Sequence, residues 1–212
     1  MARILITSGP TRQYLDPVRY LTNASSGRMG AALAEAAMRA GHELVIVSGP
    51  VDVEYPRPAK VIPVVSTEEM LDACLSVFPS CDGLIAVAAP CDYRPVRVAT
   101  EKIAKTGRPL VLELVETPDI VASLAVEKGA RWMVAFALET TDPRQRAMQK
   151  LERKNCDLIV LNEPVAINAA ETQVEVIDRQ GRTLLALSGP KHQVAHRVFQ
   201  AIQERLIAPS RS

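Results

Sequence analysis

Small and charged residues meet in this chain in a way that suits an anion. Ser8-Gly9-Pro10-Thr11-Arg12 follows a short apolar run, and Asn23-Ala24-Ser25-Ser26-Gly27-Arg28-Met29-Gly30 opens an Ala-rich one. Backbone N–H groups at a helix start point outward, and the helix dipole favours negative charge there. Gly9, Gly27 and Gly30 would let ligand and backbone approach closely. A Ser-capped helix whose glycines serve packing fits the same residues. Between the two stretches lies Asp16-Pro17-Val18-Arg19. Arg19 and Asn23 could hold a carboxylate or a developing oxyanion. A turn held by Asp16, with Arg19 solvated, is equally compatible.

A second cluster is Ala88-Ala89-Pro90-Cys91-Asp92-Tyr93-Arg94-Pro95, followed by Lys102-Ile103-Ala104-Lys105. Asp92 could bind Mg²⁺ or a ribose hydroxyl, and the lysines could neutralise a triphosphate. A mobile, solvated loop is the plainer reading. Thr117-Pro118-Asp119-Ile120-Val121 reads as another helix start, capped by Thr117, and so as a second anion site or simply a cap. Lys150 and Lys154 stand four apart, on one helix face. They would clamp phosphates or merely complement the helix dipole. His192 and His196 share that spacing but have no acidic companion, so they read as surface positions. Cys91 has no partner His and reads as a bystander. Neither GxSxG nor a Walker A sequence is present.

These residues need a scaffold. Ile4 to Thr7, Leu44 to Val47, Val61 to Val65, Leu84 to Ala88, Met133 to Leu138 and Leu158 to Leu161 read as strands, and Leu110 to Val115 as a further one. Helices are expected from Met29 to Ala40, after Ser66 with Glu69 as a capping box, after Thr117, and from Pro143 to Lys154. Residues 8–26 read as one long loop. Gln173 to Ile177 and Thr183 to Leu187 flank a turn and predict a hairpin, and Ser188 to Leu206 contains a closing helix. The alternation predicts an α/β, Rossmann-like, doubly wound and mainly parallel sheet with a C-terminal β-hairpin and helix. One domain over residues 1–207 and a disordered tail over 208–212 are expected. In such a sheet ligands lie beyond the carboxyl ends of the strands, where the clusters above fall.

Composition excludes several classes. Hydrophobic residues make up 48%, enough for a sizeable core, yet aromatics only 4%, so that core must be aliphatic. A formal charge of +1 without long runs of one sign indicates neither a nucleic-acid nor a membrane surface. Cys74, Cys81, Cys91 and Cys156 form no CxxC pair, and reduced thiols in a cytoplasmic protein are expected. No signal peptide or membrane-length apolar run is visible.

In this order the clusters resemble phosphopantothenate–cysteine ligase. The matching stretches are ITSGPTR, DPVRYLTNASSGRMG, CDYRP with KIAK beyond it, TPDIV, VAFALET and KLERKNCDLIVLN. The resemblance implies formation of an acyl-cytidylate from CTP and 4′-phosphopantothenate, with release of pyrophosphate. L-cysteine then displaces CMP. It places Asn23 at the acyl carbonyl, Arg19 on the pantothenate part and Ala89 beside the same intermediate. Gly9, Ser26 and Gly27 would line the nucleotide phosphate site. Asp92, Lys102, Pro118, Asp119, Ile120, Val121, Phe136, Lys150 and Lys154 correspond to nucleotide-binding positions, with Asp92 also the metal ligand for Mg²⁺. Residues 92–108 would form a flap. Asn23, Lys102 and Arg19 are the expected catalytic set. A homodimer is expected, with a separate phosphopantothenoylcysteine decarboxylase as possible partner. This looks like the ligase half standing alone, so no flavin is expected. Length and motif wording resemble the bacterial type of the family, which prefers CTP where the eukaryotic type uses ATP, so the resemblance implies CTP. Ala104 stands where the family's flap usually has lysine, and Pro90 removes an N–H donor.

Two other functions suit such a sheet. An NAD(P)-dependent reductase would carry an acidic residue at the end of its second strand, but that strand ends Val47-Ser48-Gly49-Pro50, with Asp52 only beyond it. A non-catalytic nucleotide-binding module would keep the fold and lose the reaction.

Overall fold

The computed structural model describes residues 1–162 and 171–207, so the expected tail over 208–212 lies outside the described residues. Along the chain run β1 (Arg3–Ser8), β2 (Arg12–Tyr14), β3 (Tyr20–Thr22), α1 (Arg28–Arg39), β4 (Glu43–Ser48), β5 (Lys60–Pro63), α2 (Thr67–Val77), β6 (Gly83–Ala86), β7 (Tyr93–Pro95), β8 (Leu114–Glu116), α3 (Ile120–Val126), β9 (Trp132–Leu138), α4 (Pro143–Arg153), β10 (Leu158–Asn162), β11 (Glu171–Asp178), β12 (Thr183–Pro190) and α5 (Lys191–Ile202).

The main sheet has the order β12-β11-β10-β9-β6-β1-β4-β5. Neighbours from β5 across to β10 are parallel, and the β11–β12 hairpin adds antiparallel strands at one edge. The parallel part is doubly wound, so the expected fold class holds. The order in which strands are added reverses between β1 and β6, and the crevice at such a switch point is where open α/β sheets bind ligands.

Strand periodicity sorts the core onto two faces. Ile4 and Ile6 of β1 pack under α1 and α5, with Leu33, Ala37, Val198 and Phe199. Leu5 faces the other way, among Val45, Leu84, Met133 and residues of α2, α3 and α4. α1 presents Gly30, Leu33, Ala34, Ala36 and Ala37 as its buried stripe. These small residues let it lie close to the sheet. α2 has the expected cap: the Glu69 N–H donates to Ser66 Oγ at 3.1 Å, and Glu69 Oε2 accepts from the Val65 N–H at 2.7 Å.

Three local expectations are corrected. The stretch after β1 is not a plain loop but contains the β2–β3 ribbon, whose three-residue strands are too short to show a period. The strand expected over 110–115 is only Leu114–Glu116, paired with β7. Leu110 and Val111 are 56% and 89% exposed, so no packing surface holds them extended. α3 is capped by Asp119 rather than Thr117: Asp119 Oδ1 accepts from the Ala122 N–H, whereas the Thr117 hydroxyl donates to the Cys91 carbonyl at 2.6 Å.

Candidate active site

At the switch point β1 and β6 part, and the chain after each is pinned to the other. The Ala89 N–H donates to the Gly9 carbonyl at 2.9 Å, and Pro10 pairs with Ala89. Gly9 has φ +72°, and a Cβ there would meet the Val51 side chain at 2.7 Å and the Gly49 carbonyl at 3.2 Å, so glycine here lets the turn after β4 come close. A cluster of threonines holds the next turn. Thr11 Oγ1 accepts from the Cys91 N–H at 2.8 Å, while Thr67 and Thr117 donate to the Cys91 carbonyl. Burial, and then the neighbouring Asp92, push the Cys91 thiol above its ordinary range. That is the reverse of what a nucleophilic thiolate requires. Asn23 completes the brace: its side-chain amide donates to the Pro90 carbonyl at 2.8 Å and the Ala89 carbonyl at 3.3 Å.

Two cavities open here. The smaller, about 460 Å³, lies over the start of α1 and includes Asn23, Ser26, Gly27 and Ala89. Gly27 caps α1 with φ +73°, a conformation suited to glycine. The larger, about 1210 Å³, lies between the start of α3 and the face of α4. Pro118, Asp119, Ile120, Val121 and Lys154 line it. Asp92, Phe136 and Lys150 line both, so the cavities are adjacent and share a wall.

Lys150 Nζ donates to the Phe136 carbonyl at 3.0 Å. Burial, and then the charge of Lys154, pull its pKa below the ordinary 10.5, against the opposing pull of Glu139, Asp119 and Asp92. Lys154 pairs with Asp119 at 2.9 Å. Burial works to raise the Asp119 pKa, but Lys154 and the Ala122 N–H together bring it below the ordinary 3.8. Asp119 therefore contributes stability that is present above the ordinary value and lost as pH falls through the lowered one. Asp119→Ala removes cap and ion pair and is expected to cost about 1 kcal/mol in a denaturant melt. Asp119→Asn keeps a good cap, so most of that loss should be absent, while the acid-side fall in stability should flatten.

Arg19, Lys102 and Gly9 line neither cavity. Arg19 is engaged with Asp16 and with the Ile103 carbonyl. Lys102 is exposed on the segment that follows. Lys102→Gln should accordingly change the unfolding free energy from a denaturant melt by no more than about 0.5 kcal/mol.

The structure adds residues that sequence reasoning passed over. Arg28 and Lys191 stand with Asn162 at the smaller cavity. Arg146 and Arg153 extend the cationic face of α4 at the larger one. The helical period that paired Lys150 with Lys154 would have reached Arg146 and Arg153 as well. Lys191 gives no local signal, because only folding brings the start of α5 to this crevice. At the tip of β4, Ser48 bonds the Gly49 carbonyl and the Tyr55 hydroxyl, so that tip offers no carboxylate to a nicotinamide ribose.

A family model described as the C-terminal domain of DNA/pantothenate metabolism flavoproteins matches residues 1–206. The chain belongs to this family. The coenzyme A biosynthesis bifunctional protein CoaBC of Vibrio vulnificus strain YJ016 is 40% identical over 207 residues, which are 94% of this chain and 51% of that protein. The Bacillus subtilis strain 168 protein of the same name is 41% identical over 206 residues, 94% of this chain and 50% of the relative. The chain thus spans about half the length of the curated relatives it matches. A crystal structure of the C-terminal domain of a coenzyme A biosynthesis bifunctional protein CoaBC superposes with a TM-score of 0.82 at 35% identity, covering 97% of this chain and 95% of that one.

Proposed function

We propose that the chain joins 4′-phosphopantothenate to L-cysteine in coenzyme A biosynthesis, through an acyl-cytidylate made from CTP. Its family membership supports this, as do relatives named for coenzyme A biosynthesis over nearly the whole chain. The observation that carries the reading is the wall common to both cavities, where Asp92 and Lys150 face two ligand spaces at once. An adenylate-type ligase needs that layout, because it must bring two anions into reacting distance and offset their repulsion.

In this reading the smaller cavity takes the acyl substrate and the larger takes the nucleotide. A carboxylate oxygen attacks the α-phosphorus, and pyrophosphate leaves. The α3 start, Lys150 and Lys154 hold the phosphates. The amine of cysteine then attacks the activated carbonyl, the C–N bond forms, the amine loses a proton and CMP departs. Asn23, held beside Pro90 and Ala89, would give up its longer bond, to the Ala89 carbonyl, and donate to the substrate carbonyl oxygen as charge develops on it. Among the described residues no three His, Cys, Asp or Glu side chains group as a metal site. Mg²⁺ that arrives with phosphates needs only one or two carboxylates, and Asp92 would supply one. When bound, it offsets phosphate charge. Lys102 and Lys105, outside both cavities of their own chain, would reach phosphates across a homodimer. Among the described residues no helix is long and apolar enough to cross a membrane, and we place the protein in the cytoplasm. A phosphopantothenoylcysteine decarboxylase would be the partner that takes the product.

The test is pyrophosphate release from CTP, Mg²⁺ and phosphopantothenate, with and without cysteine. A single turnover without cysteine, trapped as acyl-cytidylate, is expected, and sustained turnover with it. Absence of release with either CTP or ATP would leave a non-catalytic nucleotide-binding module. Saturable NADH or NADPH fluorescence without CTP binding would favour the reductase.

A further inference from the structure

We propose that Asp16 is a positioning residue, whose carboxylate fixes the segment carrying Lys102 and Lys105 by gripping the backbone of Ile103. The proposal rests on the ligase reading, in which those lysines meet the polyphosphate.

Asp16 is fully buried, and both its oxygens are occupied. Oδ1 accepts from the N–H groups of Val18 and Arg19, each at 2.8 Å. Oδ2 accepts from Arg19 Nε at 2.9 Å, from Arg19 Nη2 at 2.5 Å and from the Ile103 N–H at 3.1 Å. Arg19 Nη2 also donates to the Ile103 carbonyl at 2.6 Å. Thus the ion pair engages both polar backbone groups of one residue far along the chain. A second point lies nearby, where the Ala99 N–H donates to the Leu15 carbonyl at 2.9 Å. Ile103 is half-buried against this turn, while Lys102, Ala104 and Lys105 are exposed. The lysines therefore project from a fixed residue. The turn belongs to the β2–β3 ribbon, whose far end leads to Asn23 at the smaller cavity, so a hydrogen-bonded connection runs from the candidate site to the lysine segment.

The two oxygens do different work. Oδ1 makes a local turn, which the carbonyl oxygen of an asparagine would make as well. Oδ2 holds Arg19 and Ile103, which an NH₂ group cannot do because it is a donor facing donors. A merely structural turn would need only the first. Asp16→Asn therefore keeps the turn and releases the segment.

The experiment is trypsin cleavage at Lys105 in the folded protein, run beside pyrophosphate release. Loss of charge-assisted bonds at Oδ2 is expected to speed cleavage about tenfold in Asp16→Asn and to lower turnover by a similar factor. Ile103→Pro deletes the donor while leaving the Asp16–Arg19 pair in place. It should show the same faster cleavage and serves if Asp16→Asn fails to fold. Turnover is then measured in a Lys102→Gln background. If Asp16 acts through Lys102, Asp16→Asn adds little further loss there. Full additivity, or cleavage unchanged in an active protein, overturns the proposal. A wild type that releases no pyrophosphate overturns the ligase reading and, with it, the part given to Asp16; the cleavage arm then reports the grip on Ile103 by itself.

Discussion

Asn23→Asp is expected to slow the cysteine-dependent step by about a hundredfold or more, the scale found when one donor to a developing oxyanion is removed. The substitution keeps the shape and inverts the chemistry. In the wild type the amide NH₂ lies against the Pro90 and Ala89 carbonyls, and these contacts hold it at the mouth of the smaller cavity. A carboxylate there would face the same carbonyls with like partial charge and would repel both the acyl phosphate and the oxyanion. Formation of the acyl-cytidylate should suffer less than its consumption, since the oxyanion grows as cysteine attacks. Rapid-quench measurement of CMP release from preformed intermediate reads that step alone. Asn23→Ala provides the control, because it removes the donor without adding charge and should fall between the two. Turnover in Asn23→Asp equal to wild type would exclude Asn23 from the reaction.

The sheet was legible because β1, β4, β9 and β10 are apolar runs bounded by turns, and their alternation with helices leaves few topologies. The location of the candidate site followed from that topology, since Ser26, Asp92, Asp119 and Lys150 all fall past strand ends or on the helices beside them. What escaped depended on pairing across the chain. The β2–β3 ribbon consists of two three-residue strands, too short for any period to appear. Thr117 looked like a cap because its residue type allows it, yet the Cys91 carbonyl claims its hydroxyl and leaves the helix start to Asp119. Asp16 and Ile103 are 87 positions apart, and nothing in either neighbourhood predicts the other. Lys191 reached the crevice only because α5 packs on α1. Local preference fixes elements, and the burial of their apolar faces then decides which distant polar groups become neighbours.

Lys150→Met should weaken CTP binding by roughly 10- to 100-fold, the loss of one charge-assisted hydrogen bond to phosphate. Its pH dependence makes the expectation specific. Burial, then the charge of Lys154, already lower the pKa of this ammonium from 10.5. An arriving polyphosphate favours the charged form and raises it again. Below the lowered pKa the ammonium attracts the phosphates; as pH rises through it, that attraction is lost. CTP affinity should therefore begin to fall at a lower pH than an ordinary lysine would produce, and binding in that window should take up protons. Calorimetry in buffers of different ionisation enthalpy measures the uptake directly, and Lys150→Met should abolish it. Stability moves the other way. A buried ammonium with a lowered pKa opposes folding at neutral pH, and the opposition is relieved as pH rises. Met supplies similar apolar length without that charge, so the variant should melt no lower than wild type despite its weaker binding. Unchanged CTP affinity and unchanged proton uptake would show that Lys150 faces the larger cavity without contacting the nucleotide.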